Sequence, residues 1–340
     1  MTDLPQEALV HTEDEAGRQA QFLALVADKL AATEIELRQY LASDVPFIDQ
    51  ACDYMATSGG KRVRPALLLL TSQMLGHDGE EEITYAAVIE LIHTASLIHD
   101  DIIDHATLRR GADSVNHLWG NSRTVLLGDW MYTTAMNMAL SHGNLEVIRR
   151  LCVATLKMIE GELLTLERLG SVDLTTEEYF QIIERKTAHL FAAACEIPTL
   201  IAPTVAGSEA VLSSYGHQLG ICFQLVDDLL DFTATEDELG KPVLSDLREG
   251  KLTLPLILVL GRSGSREKDL VRSVLEDRSF DRVAPEQILE LVESAGTLQE
   301  VEEMARCRAS EAQQVLELFP DVPARSALEY TPEFILRRRA

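Results

Sequence analysis

Apolar residues recur at the spacing of an α-helix along almost the whole chain, and this pattern constrains the fold more than any other feature. In the first such segment, 19–41, residues Phe22, Leu25, Val26 and Leu30 mark one helical face. Comparable segments follow at 65–76, 82–106, 122–140, 145–168, 176–195, 208–233, 252–261, 266–276, 285–293 and 297–318. Glycine or proline stands at most of the breaks, and no convincing run of strands is present. The pattern predicts an all-α protein, with a single large helical domain over 19–340 and a flexible, acidic N-terminus over 1–18.

The charge balance excludes some partners. The chain has 30 basic and 55 acidic residues, and its net charge of −25 repels nucleic-acid backbones and anionic membrane surfaces. The five cysteines are an odd number, widely spread and without a C-x-x-C pair, as is typical of reduced thiols in the cytoplasm. The apolar runs are too short to span a bilayer, and the acidic N-terminus is unlike a transit peptide.

Three aspartates stand close together within the apolar stretch LIHDDIIDHATLRRG (97–111). On a helix, Asp100 and Asp104 share one face because they are four residues apart, and Asp101 lies beside them. Like charges this close destabilise a helix unless cations neutralise them, and hard carboxylate oxygens are typical ligands of Mg²⁺. Taken alone, the motif fits a Mg²⁺ site and a solvated acidic face equally well.

The same Asp-Asp-x-x-Asp spacing returns in FQLVDDLLDF (223–232), with Asp227, Asp228 and Asp231. The surrounding residues are too apolar for a solvated surface, so this second motif favours metal binding by both. Two facing carboxylate clusters would hold Mg²⁺ ions on either side of a diphosphate. A calcium loop of the EF-hand type is excluded because the glycine-containing loop that it needs is missing.

Basic residues lie directly beside both aspartate motifs, although the chain as a whole is acidic. Three cations follow two glycines in GGKRVRP (59–65), Arg109 and Arg110 follow the first motif, and Lys241 and Lys251 follow the second. Glycines let backbone N–H groups approach an anion closely, and the cations surround it. This arrangement suits polyphosphate binding. Walker-type loops are absent, which disfavours a nucleotide phosphotransferase.

Five motifs stand in a fixed order along the chain: GGKRVRP, IHTASLIHDDIIDHATLRRG, ERKTA, FQLVDDLLD and GKPVLSDLREGKLTLP. In sequence and order they resemble the trans-isoprenyl (polyprenyl) diphosphate synthases, a resemblance that extends from Gly59 to Lys251. It implies a helical bundle of the isoprenoid synthase type with a central cavity. It also implies a Mg²⁺-dependent prenyltransferase of isoprenoid biosynthesis that acts as a homodimer on isopentenyl diphosphate and an allylic prenyl diphosphate.

The resemblance also implies roles for individual residues. The expected catalytic residues are Asp100, Asp101, Asp104, Arg109, Lys186, Asp227, Asp228 and Lys241. Together with Asp231, the aspartates would bind about three Mg²⁺ ions around the allylic diphosphate. That diphosphate would contact Arg109, Lys186, Thr187, Gln224 and Lys241, with Lys251 close by. Isopentenyl diphosphate would lie on Lys61, Arg64, His93 and Arg110, and the role of Arg62 stays open.

The residues upstream of the first motif bear on product length. A prenyl unit is on the order of 5 Å long, about one helical turn, so successive turns before Asp100 act as successive floors of the cavity. These positions are Ala95 and Ser96, then Ile92, then Ile89. The small residues nearest Asp100 predict a long product, roughly C30–C50, such as a ubiquinone or menaquinone side-chain precursor. Alternatively the floor lies at Met131, Met136 or Met138 and the product is of farnesyl or geranylgeranyl length.

Other interpretations stay open at the level of the sequence. A terpene cyclase shares aspartate-rich helices but does not need the GGKRVRP segment. A non-catalytic partner subunit typically lacks aspartates of one motif, and an acidic Mg²⁺- or Ca²⁺-binding module would have no turnover. The basic tail, Arg337 to Arg339, is expected to be solvated, unless it closes over the site. Membrane contact is expected to be transient at most, for product release, since no basic amphipathic helix is evident.

Overall fold

The computed structural model describes residues 17, 20, 22–57, 60–109, 111–203, 206–235 and 242–338. These residues are largely helical, and the two strands found among them are two residues long each. The predicted all-α class is therefore confirmed. The predicted flexible N-terminus, 1–18, lies outside the described residues except for Gly17, so its boundary with a helical domain over 19–340 stays a prediction.

The N-terminal half supplies the helices before and after the first aspartate motif, and α4 carries the motif itself. They are α1 Ala27–Leu41, α2 Pro46–Thr57, α3 Val63–Met74, α4 Glu81–Ile103, α5 Val115–Trp119, α6 Asn121–Leu140 and α7 Leu145–Arg168. Between α4 and α5 the chain forms an antiparallel hairpin of β1 Leu108–Arg109 and β2 Ala112–Asp113. α7 begins after Asn144, whose side-chain oxygen caps the N–H groups of Glu146 and Val147.

The C-terminal half begins with α8 Thr176–Ile183, which continues through a π-helical turn, Glu184–Ala188, into α9 His189–Glu196. The further helices are α10 Pro198–Ile201, α11 Ser208–Thr233, α12 Ser245–Arg248, α13 Leu254–Arg262, α14 Ser265–Asp277, α15 Pro285–Ser294, α16 Thr297–Val315 and α17 Pro323–Leu336, with a 3₁₀ turn at Leu316–Leu318. A capping box starts α8, because Thr175 and Glu178 each accept the backbone N–H of the other.

Helices α4 and α11 lie at the centre, and each carries one aspartate motif towards its C-terminal end. α4 packs against α1, α3 and α6, whereas α11 packs against α9, α16 and the π-helical turn. α9 contacts both central helices and is buried along its length. Gly220 allows α11 to approach the π-helical turn closely, because an added Cβ at Gly220 would lie 2.6 Å from the Cα of Ala188. The packing thus places both motifs around the segment that contains the π-helical turn.

Several parts of the helical pattern differ from expectation, and the short helices α5, α10 and α12 were not predicted. The segment 19–41 is not one helix, since Leu25 and Val26 form a turn before α1. α2 and α17 were not predicted, and both begin at a proline. Proline is compatible with the first turn of a helix, where its missing N–H would have no intrahelical partner. α17 even contains Pro332, which reads in the sequence as a helix breaker.

Two expectations drawn from composition can be compared with the described residues. Each of the five cysteines is described, and all are free thiols. A segment both long enough and apolar enough to cross a bilayer is not found among the described helices.

Candidate active site

The first aspartate motif ends helix α4. Asp104 is the C-cap, and its N–H donates to the carbonyl of Asp100. Asp101 is buried, and Arg109 Nε donates to both of its carboxylate oxygens at 2.7 and 2.8 Å. The β-hairpin holds Arg109 in place through pairing with Ala112. Arg109 therefore neutralises the buried member of the motif by a charge-assisted contact.

Asp100 shares a lysine with a residue of another helix. Lys186 Nζ lies 3.6 Å from Asp100 Oδ2 and forms an ion pair with Glu162 of α7. Burial raises the pKa of Asp100 to about 6, against the lowering effect of Lys186. Burial acts in the opposite sense on Lys186, but the two carboxylates outweigh it and raise the pKa of its ammonium group. Lys186 is therefore a charged group held between two carboxylates.

Asp104 forms an ion pair with Lys251, which follows the second aspartate motif in the chain. Lys251 Nζ lies 2.7 Å from Asp104 Oδ2 and 2.9 Å from Glu249 Oε2. Burial alone would lower the pKa of Lys251, but the two carboxylates raise it well above its ordinary value. The segment that follows the second motif thus reaches back to the first.

In the second motif, Asp228 is held by neutral hydrogen-bond donors. It is buried and accepts from Tyr179 Oη at 2.6 Å and from Gln224 Nε2 at 2.9 Å. Burial, together with the nearby Asp246, raises the pKa of Asp228 to about 8, although the two hydrogen bonds lower it. The ionised form of this carboxyl is therefore costly in the metal-free protein.

Asp231 anchors the chain after α11. Its buried carboxylate accepts from Ser245 N at 3.2 Å, from Ser245 Oγ at 2.8 Å and from Asp246 N at 3.2 Å. The preceding Leu244 adopts a left-handed backbone conformation, and its N–H donates to the carbonyl of Asp231 at 3.0 Å. These contacts fix the segment that leads to Lys251.

Asp227 lies at the outer edge of the motif, next to the guanidinium group of Arg338. Its side chain is 49% exposed, and Arg338 Nη1 lies 3.4 Å from its Oδ1. Arg338 stacks on the ring of Phe223 at 4.8 Å and Arg64 stacks on Phe191 at 4.4 Å, while the two rings are 5.3 Å apart. Burial lowers the pKa of Arg64 to about 10, and Arg338 contributes in the same direction. Positive charge is thus concentrated beside the second motif.

The π-helical turn links the two motifs. Lys186 lies beside Asp100, whereas the next residue, Thr187, donates to Gln224 Oε1 at 2.9 Å, and Gln224 donates in turn to Asp228. Lys186 and Thr187 are consecutive residues of this π-helical turn, so their side chains leave the helix in different directions. Gly161 makes room for it, since a Cβ there would lie 2.5 Å from Lys186 N. The aspartate-rich ends of α4 and α11 therefore border one site.

Across the described ranges, no three acidic, histidine or cysteine side chains converge as a ready-made metal site. The carboxylates of the two motifs instead contact different kinds of partner. Arg109, Lys186 and Lys251 contact the first motif, whereas hydroxyl, amide and backbone N–H groups are among the partners of Asp228 and Asp231.

Comparison with known proteins places the chain in a family. Residues 45–292 match the model of the polyprenyl synthetases. The chain belongs to this family. The synthetase is 38% identical to octaprenyl diphosphate synthase of Escherichia coli (strain K12), over 89% of this chain and 94% of that protein. It is 35% identical to a short chain isoprenyl diphosphate synthase of Methanothermobacter thermautotrophicus, over 85% of this chain and 90% of that protein.

A solved structure gives the same answer for the fold. The polyprenyl synthase of Caulobacter crescentus CB15, complexed with calcium and isoprenyl diphosphate, has a TM-score of 0.90 and 34% identity to the synthetase. The match covers 95% of this chain and 98% of that one. The predicted isoprenoid synthase bundle and the predicted prenyltransferase class are therefore confirmed.

In the synthetase, the residues expected to hold isopentenyl diphosphate are only partly described. Lys61 is exposed before α3, Arg64 lies in its first turn, and His93 is half-buried on α4. Arg110, together with Lys241 of the allylic set, lies outside the described residues. Arg62 has a left-handed backbone conformation and pairs with Glu34 and Glu90, so it stabilises the start of α3.

The predicted floor residues of the synthetase lie on α4 as follows. Ile89, Ile92 and Ala95 are buried, whereas Ser96 is half-buried and its hydroxyl donates to the carbonyl of His93. Helical geometry places Ile89, Ile92 and Ser96 towards the face of Asp100, whereas Ala95 lies about 140° from Asp100 around the helix. Of the alternative floor residues, Met131 and Met138 are buried in α6 and Met136 is half-buried.

Several polar residues of the site were not predicted. Tyr179, Glu162 and Ser245 each contact a motif residue or its lysine, but each stands in the sequence without a pattern that marks it. The expectation of a solvated basic tail is wrong for Arg338, whose side chain is 19% exposed and contacts Asp227. Arg337 is exposed, and Arg339 lies outside the described residues.

Proposed function

We propose that the synthetase is a Mg²⁺-dependent, chain-elongating polyprenyl diphosphate synthase. It condenses isopentenyl diphosphate with an allylic prenyl diphosphate and releases an all-trans polyprenyl diphosphate. The observation that carries this proposal is the pair of consecutive residues, Lys186 and Thr187, which connect Asp100 with Gln224 and Asp228. Six aspartates and several cations therefore border one site, as a reaction between two diphosphates requires.

The aspartates fit Mg²⁺. Asp100 and Asp104 in the first motif, and Asp227, Asp228 and Asp231 in the second, offer the hard oxygen donors that this ion prefers. The raised pKa values of Asp100 and Asp228 indicate buried carboxylates that a divalent cation would stabilise in the ionised form. Asp101 would join them when Arg109 turns to the substrate. The complex of the Caulobacter crescentus relative with calcium and isoprenyl diphosphate supports a divalent-cation site.

The cations around the first motif would bind the allylic diphosphate. Bound Mg²⁺, about three ions per site, would withdraw negative charge from this leaving group. Lys186, Lys251 and Arg109 already lie beside the motif, and their donors would stabilise the charge that develops as the C–O bond breaks. Thr187, Gln224 and Lys241 would complete this set.

Isopentenyl diphosphate would lie next to the second motif, on Arg64, Lys61, His93 and Arg110. The buried Nε of Arg64 has no hydrogen-bond partner within the described residues, and an anion would supply one. The double bond of isopentenyl diphosphate would attack the allylic cation and form the new carbon–carbon bond. The proton that is then lost would pass to the released diphosphate.

The proposal is tested by incubating the purified protein with farnesyl diphosphate, labelled isopentenyl diphosphate and Mg²⁺. We expect a labelled ladder of longer prenyl diphosphates by chromatography. A terpene cyclase would consume farnesyl diphosphate without incorporating the label. A non-catalytic partner subunit or an acidic cation-binding module would leave both substrates unchanged, and either result would refute the proposal.

The product is proposed to be long, roughly C30–C50, because Ala95 and Ser96 leave the cavity open. The short chain relative from Methanothermobacter thermautotrophicus keeps a farnesyl- or geranylgeranyl-length product as the alternative. Ser96→Phe and Ala95→Phe distinguish the floor positions. Ser96 shares the face of Asp100, so Ser96→Phe is expected to shorten the product more. If neither variant changes the product, the floor is not at these positions, and Met131, Met136 and Met138 become the next residues to replace.

A homodimer is proposed from an exposed apolar face. On α7, Leu156, Ile159, Leu163 and Leu166 follow one another along a single face and are between 42% and 60% exposed. Leu126 on the neighbouring α6 is 67% exposed. An exposed apolar surface of this kind is typical of an interaction site.

Light scattering after size-exclusion chromatography tests the dimer. We expect a dimer for the wild type and a monomer for the double variant Leu156→Glu, Leu163→Glu. Leu318→Glu is the control, because Leu318 is 75% exposed elsewhere in the chain. A monomeric wild type would contradict the proposal. A cytoplasmic location, a transient membrane contact and a role in quinone side chains stay predictions.

A further inference from the structure

Two carboxylates of α7 contact the π-helical turn. Glu160 and Glu162 stand on either side of Gly161, where an added Cβ would lie 2.5 Å from the backbone N of Lys186. A side chain at Gly161 would not fit, so this part of α7 lies directly against the turn. Glu160 pairs with Arg185, at 3.6 Å between Oε2 and Nε, and Glu162 pairs with the next residue, Lys186. One segment of α7 thus contacts two consecutive cations of the turn.

The ion pair of Glu162 lies within the site, whereas that of Glu160 lies at the surface. The side chain of Glu162 is 14% exposed, against 49% for Glu160. Glu162 Oε1 is buried and has no hydrogen-bond partner within the described residues. Its lysine also faces Asp100, whose Oδ2 lies 3.6 Å from Lys186 Nζ. Glu162 is therefore a largely buried carboxylate that contacts a proposed substrate-binding lysine without belonging to either aspartate motif.

The ammonium group of Lys186 has three N–H donors on a flexible four-carbon side chain. Contacts with Glu162 and Asp100 use two of them, so the third is available for the allylic diphosphate. When Asp100 serves as a metal ligand, its oxygens are no longer available to the lysine, and Glu162 remains as the carboxylate beside it. Without Glu162, the flexible side chain would move fully onto Asp100, where it would compete with the metal and turn away from the diphosphate.

We propose that Glu162 is a positioning residue, whose carboxylate directs the ammonium group of Lys186 to the allylic diphosphate and keeps it from neutralising Asp100. The proposal rests on the proposed function, because it assumes that Lys186 binds this substrate. Glu162 acts through the lysine and does not itself contact the diphosphate. By its charge alone, a carboxylate near a diphosphate would weaken binding of that anion. A positioning role therefore predicts the opposite sign from simple charge repulsion.

Calorimetry with farnesyl diphosphate and saturating Mg²⁺, but without isopentenyl diphosphate, measures this effect in the absence of elongation. We expect Glu162→Gln to bind farnesyl diphosphate about tenfold more weakly than the wild type. Glu162→Asp keeps the charge on a shorter side chain, so its affinity should lie between the two. Glu160→Gln, two residues away on the same helix, is the matched control and should bind like the wild type. Unchanged or tighter binding by Glu162→Gln would refute the proposal.

A double-mutant cycle with Lys186→Ala shows whether Glu162 acts through the lysine. In the Lys186→Ala background, Glu162→Gln is expected to cause no further loss of affinity, because no ammonium group remains to be positioned. An equal loss in both backgrounds would show that Glu162 acts independently and would overturn the positioning role. Melting curves in EDTA identify any variant that fails to fold. If Glu162→Gln melts early, Glu162→Asp replaces it, and its smaller loss of affinity should likewise disappear in the Lys186→Ala background.

Steady-state elongation assays separate positioning from a general structural role. We expect Glu162→Gln to raise KM for farnesyl diphosphate and to leave KM for isopentenyl diphosphate unchanged, because Lys186 contacts the first motif. A similar rise in both constants would indicate a distorted site and would contradict the proposal. A wild type that shows the coupling in calorimetry but never incorporates isopentenyl diphosphate would refute the synthase and keep the positioning role. A wild type that elongates no better than Glu162→Gln would refute only the positioning role.

Discussion

The two aspartate motifs share the same residue spacing, but their carboxylates contact different kinds of partner. The first stands at the end of α4, where each carboxylate faces a cation: Arg109, Lys186 or Lys251. The second lies within α11, where the two buried aspartates accept hydrogen bonds from neutral groups. Its cationic contact with Arg338 is at the half-exposed Asp227.

This difference sets the charge that each motif carries before metal binds. Lysine next to Asp100 limits the effect of burial, and the pKa of this carboxyl is raised to about 6. Hydrogen bonds do less to offset burial at Asp228, where the pKa is raised to about 8. Ion pairs thus stabilise the carboxylates of the first motif, and bound substrate and metal would replace these ion pairs. The second is poised to release a proton when a cation arrives.

The largest effects are expected for Asp228→Asn. Loss of a charged ligand should reduce elongation at least about 100-fold, yet the metal-free protein should become more stable near pH 8, by on the order of 1–3 kcal/mol. The raised pKa makes the protonated carboxyl the favoured form in the folded chain. Its contribution to stability is therefore complete below the ordinary value of 3.8 and is lost as the pH rises towards about 8.

Thermal melting of wild type and Asp228→Asn between pH 6 and pH 8, with EDTA, measures this effect. The melting temperature of the wild type should fall more steeply with pH than that of the variant. Parallel curves would show that Asp228 titrates as an ordinary carboxyl, and the contrast between the motifs would disappear.

Asp101→Asn is expected to lower stability slightly, because Arg109 loses its anion, although burial raises the pKa of Asp101 against the lowering effect of Arg109 and so limits this loss. It removes the carboxylate that Arg109 contacts and leaves a partly buried guanidinium without its anion. Stability should fall by about 1 kcal/mol, a modest value because Arg109 is partly exposed. Urea denaturation in EDTA checks this, with Asp113→Asn on the same hairpin as the control. A stabilised Asp101→Asn would refute the idea that ion pairs hold the first motif.

Tyr179→Phe is expected to have a smaller effect, confined to metal affinity. It removes the hydroxyl that donates to Asp228 at 2.6 Å. Outer hydrogen bonds of this type orient metal ligands and typically contribute about 10–100-fold to affinity. The Mg²⁺ concentration for half-maximal elongation should therefore rise about tenfold, with little change in kcat at saturating Mg²⁺. Phe180→Leu, at the adjacent position, should leave the Mg²⁺ dependence unchanged.

Arg338→Gln is expected to have the smallest effect on stability, below about 1 kcal/mol, because its contact with the half-exposed Asp227 is long. A moderate rise in KM for isopentenyl diphosphate should accompany it, since Arg338 lies beside Arg64. The exposed Arg337→Gln is the control for steady-state kinetics. Equal behaviour of the two variants would show that Arg338 does not act in the site.

Local patterns in the sequence predicted much of this architecture. Periodicity predicted the long central helices because their apolar faces repeat over many turns. It missed α2 and α17 because Pro46, Pro323 and Pro332 read as breakers. It also could not separate the π-helical turn from the surrounding helix, since ERKTA continues the apolar pattern of 176–195.

The candidate site follows the same rule. The aspartates were predictable because their type and spacing repeat, whereas Lys186 was expected only from the family resemblance. The different roles of Arg62, which forms ion pairs within the protein, and Arg64, which is proposed to bind substrate, were not predictable. They depend on the left-handed backbone of Arg62 and on Glu34 and Glu90 from other helices. Tyr179 was missed for a similar reason, because only the tertiary packing brings it to Asp228.

The π-helical turn has a consequence for how this chain tolerates insertions and deletions. One residue fewer between Glu184 and Ala188 would turn the segment into a regular α-helix with a narrower turn, so Lys186 and Thr187 would no longer both keep their directions towards Asp100 and Gln224. Ala188, which packs against Gly220 of α11, belongs to the same turn, so this close helix contact would change as well. A single-residue deletion in the π-helical turn is thus expected to reduce stability and activity more than a deletion in a surface turn, although it removes no metal ligand.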